Sequence, residues 1–224
     1  MTVLGIETAT HLCGAALVRR GNLLAERFVD ERNVHAERLM ELIQGVTADH
    51  GRLEAVEGIA VSIGPGSFTG LRIGASIAKG LAFGGDKLLI GVPTLQALIE
   101  RARRESPVGG RAHELAAVLP ARRGEYFMMR ESTGEVRVVR RESVVDECRR
   151  NTLVLTGDTG GLKLTAEGAA DIPEVEDHLR RCSASSVAYI GERMFLEGRR
   201  DDIKTLEPRY LLEFFLRVDM MERT

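Results

Sequence analysis

Gly64-Pro65-Gly66-Ser67-Phe68-Thr69-Gly70-Leu71-Arg72-Ile73-Gly74 joins two segments of different character. Residues 58–63, ahead of it, are a short and nearly continuous apolar run, the pattern of a strand covered on both faces. Residues 71–83, behind it, carry helical spacing. Glycines between a strand and a helix can present backbone N–H groups to an anion. The run is not a phosphate-binding loop of the GxxxxGK[ST] type, however, because Arg72 and not a lysine follows Gly70-Leu71. Gly70, Gly74 and Ala78 recur every four residues and share one helix face. Small faces let another backbone approach closely and lengthen the dispersion seam. Glycine inside a helix costs about 0.5–1 kcal/mol relative to alanine. The expectation is therefore a close-packed contact surface.

The flanking sequence completes an α/β pattern. Residues 3–6, 12–18 and 23–29 read as three strands joined by short turns, an antiparallel meander. Asn33 is placed as the N-cap of a helix whose stripe is Leu39, Leu42, Ile43 and Val46, widened by Met40. Residues 88–92 form another strand, and Pro93-Thr94 opens a helix over 95–104. The polar stretch 105–110, with a proline and two glycines, is placed as a lobe boundary. This gives an N-terminal lobe over 1–104 and a smaller α/β lobe over 105–224. In the second lobe, strands are expected near 114–119, 125–130, 135–140 and 152–156. A helix capped by Ser183 or Ser185 is expected to reach Glu197, and the apolar tail from Pro208 is expected to dock.

Composition excludes several classes. The 224 residues carry a formal charge of −2, spread evenly, with 12 basic and 11 acidic side chains in the first 104. That is no bulk electrostatic binder of nucleic acid or anionic membrane. Cys13, Cys148 and Cys182 are widely spaced and contain no CxxC, which argues against disulfide scaffolding and structural zinc. His11, His35, His50, His113 and His178 form no HxxxH or HExxH pair, so no metal site is expected. Ser67 lies in GPGSF, not in the GxSxG of a nucleophile elbow. No basic leader and no apolar run of about 18–20 residues is present, so a cytoplasmic location is expected. Glu7-Thr8-Ala9-Thr10, at the end of the first strand, is either a phosphate- or magnesium-binding turn or a polar turn that satisfies its own backbone. Arg122 and Arg123, ahead of Glu125-Tyr126, are either a charged hairpin turn or a bidentate anion clamp.

The 64–74 run, followed by Ala78-Lys79-Gly80-Leu81-Ala82, closely resembles the motif of the TsaB (YeaZ) family of tRNA threonylcarbamoyladenosine biosynthesis proteins. Collinear with it are Leu4-Gly5-Ile6-Glu7-Thr8, His35-Ala36-Glu37-Arg38-Leu39-Met40, Val92-Pro93-Thr94-Leu95-Gln96-Ala97-Leu98, Ala121-Arg122-Arg123-Gly124-Glu125-Tyr126 and Pro208-Arg209-Tyr210-Leu211. The resemblance implies an actin-like ATPase, sugar kinase and Hsp70-type two-lobed α/β fold with a shortened second lobe. It implies a non-catalytic scaffold that needs no cofactor, binding the catalytic paralogue TsaD alongside the ATPase TsaE. It implies contact with tRNA only through that complex, and self-association when TsaD is absent. The partner-binding face is expected on the first two helices, at His35, Leu39, Met40, Ile43 and Val46 and at Gly70, Leu71, Gly74, Ile77 and Ala78. Glu7, Thr8 and Thr10 would be a vestigial nucleotide or phosphate site, and Arg122, Arg123, Glu125 and Tyr126 the family motif of the second lobe. Relatives have Asp-Thr-Ser where this chain has Glu7-Thr8-Ala9, which weakens a phosphate site. The metal-binding HxxxH of TsaD has no counterpart, since Leu39 stands four after His35. The alternatives are an ATP-dependent phosphotransferase of the sugar-kinase type, using Gly157-Asp158-Thr159-Gly160-Gly161 as its adenosine loop, and a metalloprotease, as in the superfamily's older "glycoprotease" label.

Overall fold

A computed structural model describes residues 1–106, 114–122, 124–151, 154–157 and 175–210. Strands β1 (Thr2–Glu7), β2 (Leu12–Arg19) and β3 (Asn22–Asp30) form the expected antiparallel meander. Helix α1 (His35–Thr47) leads to β4 (Gly58–Ser62), α2 (Phe68–Gly84) leads to β5 (Leu88–Val92), and α3 (Thr94–Glu105) follows. The sheet order is β3-β2-β1-β4-β5, with β4 parallel to both β1 and β5. The second sheet repeats the start of this plan. Strands β6 (Leu115–Pro120), β7 (Glu125–Arg130) and β8 (Val136–Arg140) form a meander, α4 (Arg141–Asn151) follows, and β9 (Val154–Gly157) returns parallel to β6. Helix α5 (Ala184–Leu196) comes last.

The boundary expected at 104/105 separates the strands of the two sheets but not their helices. Helix α3 lays Leu95, Leu98, Ile99 and Ala102 against Leu115, Ala117, Phe127 and Met129 of the second sheet. Helix α5 crosses back and lays Val187, Ala188, Ile190 and Phe195 against Val3, Val18, Ala60 and Ile90 of the first. That approach needs glycines. A Cβ on Gly5 would overlap the Ala184 carbonyl oxygen, and one on Gly191 would overlap the Ala60 methyl. The first sheet is thus covered on both faces, α5 on one and α1 with α2 on the other, which is why β1 and β4 are apolar without alternation. The exchange makes each lobe's core depend on a helix from the other half of the chain.

Three boundaries differ from the sequence reading. Asn33 does not cap α1: its φ of 63° is left-handed, and Val34 holds the cap position with no side-chain hydrogen bond. Helix α2 starts at Phe68 instead of Leu71, because the Ser67 hydroxyl accepts the Gly70 N–H at 3.2 Å and starts the helix a turn earlier. Helix α4 is an addition; its apolar signal is confined to Val144, Val145 and Cys148 among charges. Residues 107–110 of the expected linker and the tail beyond Tyr210 lie outside the described residues.

Candidate partner-docking face and interlobe cleft

The β1–β2 turn and the start of α2 are built against each other. Glu7 is fully buried. Its Oε1 accepts the Ala9 N–H at 2.6 Å and the Ser62 hydroxyl at 3.2 Å, and the same hydroxyl accepts the Thr8 N–H. Burial pushes the Glu7 carboxyl up to about 7, against the lowering effect of these hydrogen bonds. The Ala9 carbonyl accepts the Ser67 N–H at 2.6 Å. The three glycines of the motif close the rest. A Cβ on Gly66 would overlap the Ala9 carbonyl, one on Gly70 the Thr8 carbonyl, and one on Gly74 the Thr8 hydroxyl. The small face of α2 is therefore spent inside this chain.

This geometry bears on two groups of expected site residues. Glu7 is buried and bonds inward through Oε1, Thr8 is buried, neither lines the cleft, and carbonyl oxygens of the turn face the first turns of α2. Thr10 does line the interlobe cleft, a space of about 540 Å³ that also borders His11, Arg32, His35, Ser67 and Pro120. On the expected docking face, Leu39, Ile43, Val46, Leu71 and Ala78 are buried core, and Gly70 and Gly74 are covered by the turn. His35 is buried, its Nε2 2.9 Å from the Thr10 carbonyl. Met40, at 37% exposure, and Ile77, half-buried, reach the surface.

The accessible face of α2 is a different one. It runs through Ile73, Ile77, Gly80 and Gly84, spaced i, i+4, i+7 and i+11, with Phe83 beside it at 81% exposure. A Cβ on Gly80 or on Gly84 would meet nothing within 4 Å. So α2 carries two small stripes, one filled by Thr8 and one open. The spacing of Gly80 and Gly84 was the available signal for the second stripe. Nothing in the sequence says which stripe faces the sheet.

In the second lobe, Arg122 and Glu125 form the β6–β7 turn, where the Glu125 N–H donates to the Arg122 carbonyl at 2.9 Å and Gly124 takes a φ of 76°. Tyr126 is buried on the sheet opposite Pro120, and Arg123 lies outside the described residues. The three cysteines are free and buried, and burial pushes the Cys13 thiol up to about 11. Among the described residues, no three His, Cys, Asp or Glu side chains converge as a metal site, and no helix is long and apolar enough to cross a membrane. The candidate adenosine loop beyond Gly157 also lies outside the described residues; Gly157 itself packs against the Val118 carbonyl.

Two meander-helix-strand sheets, helices exchanged between them and a cleft in the middle define the actin-like, sugar-kinase class of two-lobed α/β proteins. The ROK hexokinase of Thermus thermophilus has this fold, with a TM-score of 0.53 at 11% identity over 88% of this chain and 100% of that one. Residues 29–195 match the family model for TsaD, tRNA N6-adenosine threonylcarbamoyltransferase. The chain is 33% identical to the tRNA threonylcarbamoyladenosine biosynthesis protein TsaB of Escherichia coli K12, with 94% of each covered. It superposes on YeaZ from Pseudomonas aeruginosa with a TM-score of 0.72 at 26% identity, over 94% of this chain and 99% of that one. The chain belongs to the TsaB (YeaZ) family.

Proposed function

We propose that this chain is a non-catalytic, cytoplasmic subunit of the complex that makes threonylcarbamoyladenosine in tRNA. It docks on the catalytic paralogue TsaD and activates it together with the ATPase TsaE. The observation that carries this reading is the open face of α2: apolar side chains flank two glycines that leave room for another backbone. Burying a side chain such as Phe83 contributes about 1.5–3 kcal/mol, enough for a few such residues to anchor an interface. The closed β1–β2 turn supports the non-catalytic part, because the carboxylate at the end of β1 is fully buried and does not line the cleft. This also weighs against the sugar-kinase alternative. The metalloprotease alternative lacks any histidine pair at ligand spacing in the sequence.

Sizing chromatography tests the reading. The free subunit should self-associate through the α1–α2 face, and addition of TsaD should replace that species with a mixed complex. Separate elution of the two proteins would contradict the docking assignment.

A further inference from the structure

Alternation along β3 sets Glu26, Phe28 and Asp30 on one face of the first sheet and Ala25 and Val29 on the other. Ala25 and Val29 pack into the core beneath α1 and α2. Phe28 pairs with Gly14, where an added Cβ would lie 3.4 Å from the Phe28 Cβ and 3.5 Å from the Ala184 Cβ. Phe28 therefore stands on the α5 side of the sheet, away from the docking face. Its two neighbours on that side are engaged. The Glu26 carboxylate accepts the Ser185 N–H at 2.9 Å. Asp30 pairs with Arg181 and lies 2.9 Å from His11 Nε2. Phe28, between them, is 59% exposed. It borders a cavity of about 390 Å³ whose lining includes buried Leu12 and Cys182, the guanidinium groups of Arg101 and Arg181, and exposed His178.

An aromatic face left in water beside two guanidinium groups matches the two halves of a nucleotide: the base stacks on the ring, and the phosphate takes the guanidinium N–H groups. The carboxylates on the cavity wall already have partners, Glu26 in the Ser185 N–H and Asp177 in Arg180. The guanidinium donors are not all used. Arg101 donates through Nη1 to the Arg181 carbonyl at 3.0 Å, while its Nε is buried without a hydrogen bond, 3.5 Å from the Glu105 carboxylate. A site for a free small molecule encloses most of its ligand. Here Phe28 and the half-exposed Arg181 side chain stay open, which suits one residue of a longer strand. Bases held in a duplex are already stacked, so the ring selects unpaired ones. We propose that an unpaired residue of the tRNA stacks on Phe28, with its phosphate at Arg101 and Arg181. This rests on the reading above and gives the complex an RNA contact made by this chain itself, on the face of the sheet that docking through α2 leaves free. The net charge of −2 supplies no long-range attraction, so stacking carries the contact and the isolated chain binds weakly.

The chain contains no tryptophan, so Phe28→Trp places a single reporter at the cavity and keeps an aromatic face there. Its fluorescence is titrated, in the chain alone, with a single-stranded RNA of about ten residues, the same RNA in a duplex, and adenosine monophosphate. Quenching that saturates with the single strand, and needs at least about tenfold more duplex or mononucleotide, is the expected result. No quenching at millimolar single strand, or equal quenching by the duplex, overturns the proposal. Equal quenching by the mononucleotide overturns it as well, because the cavity is then a site for a free nucleotide. In parallel, tRNA affinity is measured on the complex with TsaD. Phe28→Ser should weaken it about tenfold, the loss of one stacked base, and Phe28→Trp should retain it. Unchanged tRNA affinity with Phe28→Ser overturns the proposal, provided that the variant still elutes with TsaD. Should no chain join TsaD, the docking reading falls, and the titration of the chain alone still decides the RNA contact.

Discussion

Gly74→Leu is expected to destabilise the fold by about 3 kcal/mol, and Gly80→Leu, six residues along the same helix, to leave it intact. At Gly74 the first added atom overlaps the Thr8 hydroxyl, and Thr8 is itself fixed by its N–H bond to Ser62. The leucine then has no space unless the β1–β2 turn separates from α2. Replacing a helical glycine returns about 1 kcal/mol of propensity, too little to offset that overlap. At Gly80 the added side chain enters open space, so only the propensity gain remains and stability rises by about 0.5–1 kcal/mol. Docking should respond in the opposite sense. A leucine at Gly80 keeps a second helix from approaching and should weaken the complex by about 1–3 kcal/mol, roughly tenfold or more in Kd. Urea midpoints and sizing with TsaD separate the two effects. Equal loss of stability at both positions would contradict the assignment of the two stripes.

The second large effect is a pH dependence carried by Glu7. Its carboxyl titrates near 7 in the folded protein against an ordinary value of 4.5. The folded state therefore holds this proton more tightly than the unfolded state. Below pH 4.5 both states are protonated and burial carries no ionic penalty. As pH rises from 4.5 through 7 the unfolded chain ionises first and native stability falls. Above 7 the penalty saturates at about 3 kcal/mol, because each pH unit between the two values contributes about 1.4 kcal/mol. Glu7→Gln keeps an acceptor for the Ala9 N–H and cannot ionise. Other groups titrate alike in both proteins, so the difference in unfolding free energy, variant minus wild type, isolates Glu7. It should rise by about 3 kcal/mol between pH 4.5 and pH 7 and then level off. A flat difference would mean that the buried carboxyl is stabilised as an ion by groups beyond Ser62 and the turn amides.

Most elements of the first lobe could be read from periodicity. Residues 88–92 are bounded as expected because an apolar pentapeptide sits between the polar turn at Asp86-Lys87 and Pro93. Helix α4 escaped because a helix with two buried positions, Val144 and Cys148, on one turn spacing looks like a charged loop. The site was half legible. The spacing of Gly70, Gly74 and Ala78 signals a close-packing face, but Gly70 and Gly74 meet Thr8 of the same chain and Ala78 lies in its core. Periodicity reports that a face is small or apolar; it does not report what fills it. Leu39, Ile43 and Val46 illustrate the same limit, since a regular apolar stripe is first of all a core stripe. The surface residues that matter, Ile73, Gly80, Phe83 and Gly84, stand out only once the sheet is placed beneath α2. The exchange of α3 and α5 between the sheets is a long-range relation, and no local pattern encodes it.

The most direct measurement is reconstitution of the modification, with TsaD, TsaE, tRNA and the threonylcarbamoyl donor, in the presence of this chain, of its Gly80→Leu variant, or of neither. Threonylcarbamoyladenosine should form with the unaltered chain, fall by about tenfold with Gly80→Leu at limiting concentration, and be absent without the chain. Equal yields in all three reactions would contradict the account.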